Sequence, residues 1–111
     1  MSARLTSDFW VSAYVRRCQL AGAYALVRRR GSPEAGAIFV VVDRLDRTND
    51  LYGPAIQSEA EDVRGRAFER LAEGVDGLTV EERLQKEMRF DSDLWIVVVE
   101  DRSGEAHLEE T

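Results

Sequence analysis

The chain has 111 residues, 15 basic and 21 acidic side chains and a formal net charge of −6, with 44% hydrophobic and 32% charged residues. This is the make-up of one folded domain, which at this size buries roughly 65% of the surface its unfolded chain exposes. A single cysteine, Cys18, excludes an intramolecular disulfide and fits a reducing, cytoplasmic setting, and the longest apolar stretch, Ala35 to Val42, falls far short of the about 20 residues a membrane-spanning helix needs.

The N-terminal run MSARLTSDFW has no apolar block, so a signal peptide is not expected. Charge is unevenly spread. Residues 1–30 hold six arginines and one acid, a net of +5, whereas residues 31–111 hold nine basic and twenty acidic side chains, a net of −11. The acidic part argues against gripping duplex nucleic acid over a broad face. One local anion, or head-to-tail pairing with another copy, stays compatible with it.

Residues 7–21 are predicted to form the first helix. Ser7 or Asp8 offers an oxygen to the free N-terminal amides. Val11, Tyr14, Val15, Cys18 and Ala21 recur at spacings of three and four along one face. Gly22 supplies the stop, and Arg16 and Arg17 lie where positive charge suits the last carbonyls. Residues 23–30 alternate as a strand, with Tyr24, Leu26, Arg28 and Arg30 on one side and Ala23, Ala25, Val27 and Arg29 on the other. The turn-rich GSPEAG follows. AIFVVVD, Ala37 to Asp43, is apolar on both faces and so belongs in the middle of a sheet. These two strands are expected to pair as a hairpin across the loop Gly31 to Gly36.

LDRTND turns the chain into a third strand, Leu51 to Gln57, which Pro54 assigns to an edge or a bulge. Residues 64–72 carry two readings. Val63, Ala67, Phe68 and Leu71 fit a helical face, which periodicity favours, and RAFERLAE also fits a short strand. Thr79-Val80-Glu81-Glu82 matches a capping box and opens a helix over residues 79–91. Leu94 to Val99, LWIVVV, is the last long strand, again apolar on both faces. Asp101 to Gly104 turn into a short return strand, Glu105 to Leu108, and the tail 109–111 is expected to fray.

Two runs carry a resemblance. WVSAYVRRCQLAGAYALVRRRGSPEAGAIFV holds the pattern RR…G…RR-G-x-P-x-A-G, and RFDSDLWIVVVED holds D-x-D-L-W. Together, in this order and spacing, they resemble the bacterial family of uncharacterised proteins catalogued as domain of unknown function 1491. The resemblance implies a small, intracellular, stand-alone protein with additional strands in its middle, which draws Arg66 to Leu71 toward strand. It implies no activity, cofactor or partner.

Among candidate sites the arginines come first. Guanidinium groups present paired donors that match phosphate or carboxylate, and Arg16, Arg17, Arg28 and Arg30 are the ones to build an anion site. The plainer reading has two of them complementing a helix end and the others pointing alternately from a strand, at most two to a face. Cys18 lies on the apolar helix face and reads as a small core hydrophobe, and nothing in the spacing brings it to His107, the single histidine. With one cysteine and one histidine, a zinc site within one chain is excluded on ligand count. Asp46-x-Thr48-x-Asp50 fails as a calcium loop, because Leu51 stands where glycine is needed and Gln57 where a bidentate glutamate is. Asp91 and Asp93 would need an apolar pocket to work as an acid–base pair. The favoured alternative pairs one of them with an arginine of the basic cluster, tying the two ends of the domain together. Trp10 and Trp95 line a pocket or, more simply, fill a core or a subunit contact. GSPEAG lacks the lysine and the spacing of a phosphate loop.

The expected fold is α+β: one globular domain over residues 1–111, with a mostly antiparallel sheet of about five strands flanked by helices 7–21 and 79–91. Two strands apolar on both faces ask for more cover than two helices easily give, and a homodimer would supply it. The expected function is a non-catalytic protein-interaction or self-associating module with an unidentified protein partner, no membrane, no metal and no cofactor. One alternative is a regulatory module that holds a nucleotide or phosphometabolite on the arginines. The other is a small enzyme using Asp91 or Asp93 with an arginine.

Overall fold

The computed structural model describes residues 5–55 and 66–108. Helix α1 spans Ser7–Leu20 and is followed by strands β1 (Tyr24–Arg29), β2 (Ile38–Asp43), β3 (Asn49–Pro54) and β4 (Phe68–Val75). Helix α2, Gly77–Phe90, leads into β5, Trp95–Glu100. The strands form one open sheet in the order β1-β5-β2-β3-β4. The β2–β5 pair is parallel and the other three are antiparallel. The architecture is the expected α+β one.

The helices take opposite faces of the sheet. Val11, Tyr14 and Cys18 of α1 share one core with Ala25, Val40, Val42, Trp95, Val97 and Val99. Val80 and Leu84 of α2 share the other with Phe39, Val41, Leu51 and Ile96. Successive residues of a strand point to opposite faces, so β2 and β5 feed both cores at once. That is the physical reason both runs are apolar throughout. One helix on each side already buries them, so their composition does not by itself call for a second copy.

The expected hairpin between the first two strands does not form. β5 inserts between them, antiparallel to β1 (Leu26 opposite Val98) and parallel to β2 (Val40 opposite Val97). A loop of this length can step over one neighbouring strand, about 10 Å at the usual inter-strand spacing. The β5 run, apolar on both faces, gains more in the middle than β1 would. Three further differences have local causes. β3 lies between β2 and β4 rather than at an edge, with Pro54 at its exposed end; its irregular pairing with β4 falls between Asn49 and Tyr52. Ile56 and Gln57, the expected end of this strand, lie outside the described residues. The segment after Ala67 is strand, not helix. Its pairing with β3 slips in register, so Phe68 faces the α1 core while Leu71, Ala72 and Val75 face the α2 core. A slipped strand imitates helical spacing over so short a stretch. Residues 105–108 form no strand, and lie against α1 instead, where the Tyr14 hydroxyl donates to the Ala106 carbonyl at 2.5 Å. The fraying assigned to 109–111 concerns residues outside those described.

The first helix starts at Ser7 as expected but with a different cap, and the second starts two residues early. Thr6 is the N-cap of α1, and Ser7 is a buried first-turn residue whose hydroxyl donates to the Gly36 carbonyl at 2.6 Å. The amides of Ser7 and Asp8 are satisfied by the Glu34 and Pro33 carbonyls, so the loop caps the helix in place of a side chain. α2 starts at Gly77 because Asp76 accepts from the Thr79 amide at 2.8 Å, which makes Thr79 a recipient of capping and not its source.

Candidate functional site

The arginines are dealt to different partners. Arg17 donates from Nε and Nη2 to the His107 carbonyl at 3.1 and 2.9 Å, and lies over the Tyr14 ring. Arg28 meets Glu81 of α2 on the other side of the sheet, both guanidinium nitrogens reaching a carboxylate oxygen at 2.6 Å. The Arg28 guanidinium holds the Glu81 carboxyl below the usual carboxylate range. Both side chains are over a third exposed, which limits such a pair to about 1 kcal/mol or less. Arg30 stacks over the Trp95 ring at 4.9 Å, and Arg16 is exposed on α1. Arg16, Arg17, Arg28 and Arg30 are thus not gathered around one point. Arg29 reaches the Met88 sulfur and the carbonyls of Ser92 and Leu94. A register shift between Val27 and Arg29 explains why both Arg28 and Arg29 contact the α2 side, against the simple alternation of a strand.

What does come together is the pair of sequence motifs. The loop after Arg30 presses on the entry to β5. The Ser32 amide donates to the Asp93 carbonyl at 2.9 Å, the Trp95 amide to the Ala37 carbonyl at 2.7 Å, and Trp95 Nε1 to the Ser32 carbonyl at 2.8 Å. Trp95 is fully buried, and Trp10 stacks on Tyr14 at 4.9 Å and sits 5.2 Å from Phe68. The tie between the chain's two halves that was assigned to an Asp–Arg pair is made here by backbone carbonyls of 92–94. Asp91 instead accepts from the Asp93 amide at 2.9 Å, and Asp93 is exposed. Asp91 lines an open depression of about 300 Å³ with Phe39, Leu71, Arg83 and Glu87, where Arg83 Nε is bound to Glu87 at 2.9 Å; Asp93 does not line it.

Cys18 is fully buried, and burial pushes its thiol up, away from thiolate chemistry. His107 is bound through Nε2 to Asp101 Oδ2 at 2.8 Å. Asp101 also accepts from the Ser103 hydroxyl and amide. The Ser103 hydroxyl first, then His107 and the nearby amides, hold the Asp101 carboxyl down at about 2 against a smaller opposing effect of burial. A carboxyl depressed on folding contributes stability above its unfolded pKa, near 4, and loses it as pH falls through the folded value. Thermal melts between pH 4 and pH 2 should therefore fall more steeply for the natural chain than for Asp101→Asn. Parallel slopes would show that this cluster does not couple to folding.

Sequence reasoning missed Ser32 and the Arg44–Asp50 pair, and gave Ser7 a capping role in place of its bond to the Gly36 carbonyl. Asp50 is fully buried and accepts from Arg44 Nη2 at 2.7 Å and from the Gly74 amide at 2.8 Å. Asp46, in the same turn, is taken up by the Thr48 amide and hydroxyl. Among the described residues no group of three or more histidines, cysteines or acids is arranged to hold a metal ion. No described helix is long and apolar enough to cross a membrane.

The sequence profile of the DUF1491 family, described as a protein of unknown function, matches residues 5–109. The chain belongs to the DUF1491 family. The resemblance carried by the two motifs is borne out, and the loop–β5 junction is where those motifs meet. This DUF1491 protein is similar to a protein from A. tumefaciens solved in solution, with 44% identity, 88% of this chain and 86% of that one covered, and a TM-score of 0.79. It is also similar to a DUF1491 family protein from Caulobacter crescentus solved by crystallography, with 33% identity, 97% of each chain covered and a TM-score of 0.80. An NMR structure of a DUF1491 family protein from the same organism gives 33% identity over 98% of this chain and 96% of that one, at a TM-score of 0.80. No curated protein matches the chain.

Proposed function

We propose that this DUF1491 protein is a non-catalytic protein-binding module that works through the free side of β1. The observation that carries the reading is the state of that strand. β1 is outermost in the sheet and, among the described residues, pairs with β5 alone. It leaves Tyr24 58% and Leu26 38% exposed. Leu26 lies opposite Val98, on the face where α2 packs over Phe39, Val41 and Leu51 and reaches β1 only at Arg28 and Arg29. Edge-strand recognition uses this combination: open main-chain donors and acceptors hold the partner, and neighbouring side chains select it. The guanidinium groups support the same reading, since Arg17, Arg28 and Arg30 have partners within the fold.

A photoreactive residue placed at Tyr24 or Leu26 is expected to yield discrete protein adducts in cells, and the same residue at Lys86, on the exposed side of α2, is not. Absence of adducts from the β1 positions would remove the reading.

A further inference from the structure

We infer that the partner of this edge is a second copy of the chain, docked β1 against β1 in antiparallel register about a two-fold axis at Leu26. The inference rests on the reading of β1 as the binding edge and adds what occupies it. The sheet has two outer strands, and they differ. β4 carries Glu69, Arg70 and Glu73 and pairs irregularly with its neighbour, features that discourage strand addition. In β1, Tyr24 to Val27 are uncharged and in regular register with β5, and the irregularity begins only beyond Val27.

A two-fold interface demands a surface complementary to itself. Reversed about Leu26, β1 meets that demand. Leu26 faces its own copy and Ala25 faces the copy of Val27, while Arg28 falls in the shift between Val27 and Arg29, outside the regular pairing. An axis normal to the sheet keeps each face in register, so the centre is apolar. Arg28 keeps its charge balanced by Glu81. Moving the axis to Val27 puts the register shift between Val27 and Arg29 beside the centre of the pairing. Moving it to Ala25 sets Val27 against Ala23, before the strand begins.

The arrangement sets side by side two copies that each carry a formal net charge of −6. Their residual long-range repulsion is screened by salt, so association should strengthen as salt is raised. Head-to-tail pairing of a basic region with an acidic one would weaken instead.

Disulfide trapping tests the register. Directly opposed residues of antiparallel strands have Cα atoms within disulfide reach, so Leu26→Cys should oxidise to a covalent dimer roughly tenfold faster than Leu45→Cys, an exposed position elsewhere. Cys18 is fully buried and does not compete. By sedimentation the natural chain should show a concentration-dependent dimer, stronger at high salt, and Leu26→Lys should be monomeric, melting at the temperature of the natural chain diluted to its monomer. A natural chain that stays monomeric, a dimer that survives Leu26→Lys, or one that salt weakens overturns the proposal. Cellular adducts from β1 to some other protein, with the chain itself monomeric, overturn it too while leaving the binding-edge reading intact.

Discussion

Replacing Gly31 with alanine is expected to destabilise the fold by about 3 kcal/mol or more, a large share of a small domain's stability. A Cβ at Gly31 would lie 2.6 Å from the Leu94 carbonyl carbon and nearer still to the Asp93 carbonyl oxygen. Both are main-chain atoms at the entry to β5, so no side-chain rotation relieves the overlap. Nor can the two backbones simply part. The Ser32 amide is bound to that same Asp93 oxygen, and the Trp95 amide to Ala37. Gly36 is pressed against the Asp93 oxygen from the other end of the loop and should behave alike. Gly22→Ala is the control. Its φ of +92° strains any other residue, at about 1–2 kcal/mol, but nothing lies within 4 Å of the added carbon. Urea midpoints for the three variants check the comparison; Gly31→Ala no worse than Gly22→Ala would show that the loop can lift off β5.

Trp95→Ala should cost about 3–5 kcal/mol, the range for emptying a buried aromatic site. Trp95 is fully buried, its indole N–H donates to the Ser32 carbonyl at 2.8 Å, and Arg30 lies over its ring. Trp95→Phe keeps most of the ring but leaves that carbonyl with only the longer bond from the Gly36 amide at 3.3 Å, which should cost about 1 kcal/mol. Denaturant titrations of both variants separate packing from hydrogen bonding. Equal losses would mean that the single bond to Ser32 holds the loop in place and the ring's volume matters little.

Much of this architecture is legible in the sequence because burial leaves a period behind. Val11, Tyr14 and Cys18 mark the inner face of α1, and the unbroken apolar runs of β2 and β5 mark strands covered on both sides. What a period does not encode is who lies beside whom. Gly31 to Gly36 has the same look whether it closes a hairpin or arches over β5, since either path needs a short polar loop. The glycines at its ends hold the difference, but their need for contact with Asp93 appears only once β5 is in place. β4 misleads for a related reason: its slipped pairing places inward residues at uneven intervals. At the candidate site, arginines close in sequence look like one cluster. The register shift in β1 and the two faces of the sheet separate them, and the carbonyls of 92–94 do the tying that Asp91 and Asp93 were assigned.

The insertion of β5 between β1 and β2 also orders events during synthesis. β1 has no described neighbour in the sheet until residues 95–100 exist, since Tyr24 pairs with Glu100 and Val27 with Val97. As the nascent chain leaves the ribosome, α1, β1 and β2 emerge with apolar surface that nothing yet made can cover. Such late, distant pairing slows folding and lengthens exposure to wrong partners. The growing chain is therefore expected to keep apolar surface exposed until β5 arrives to complete the sheet.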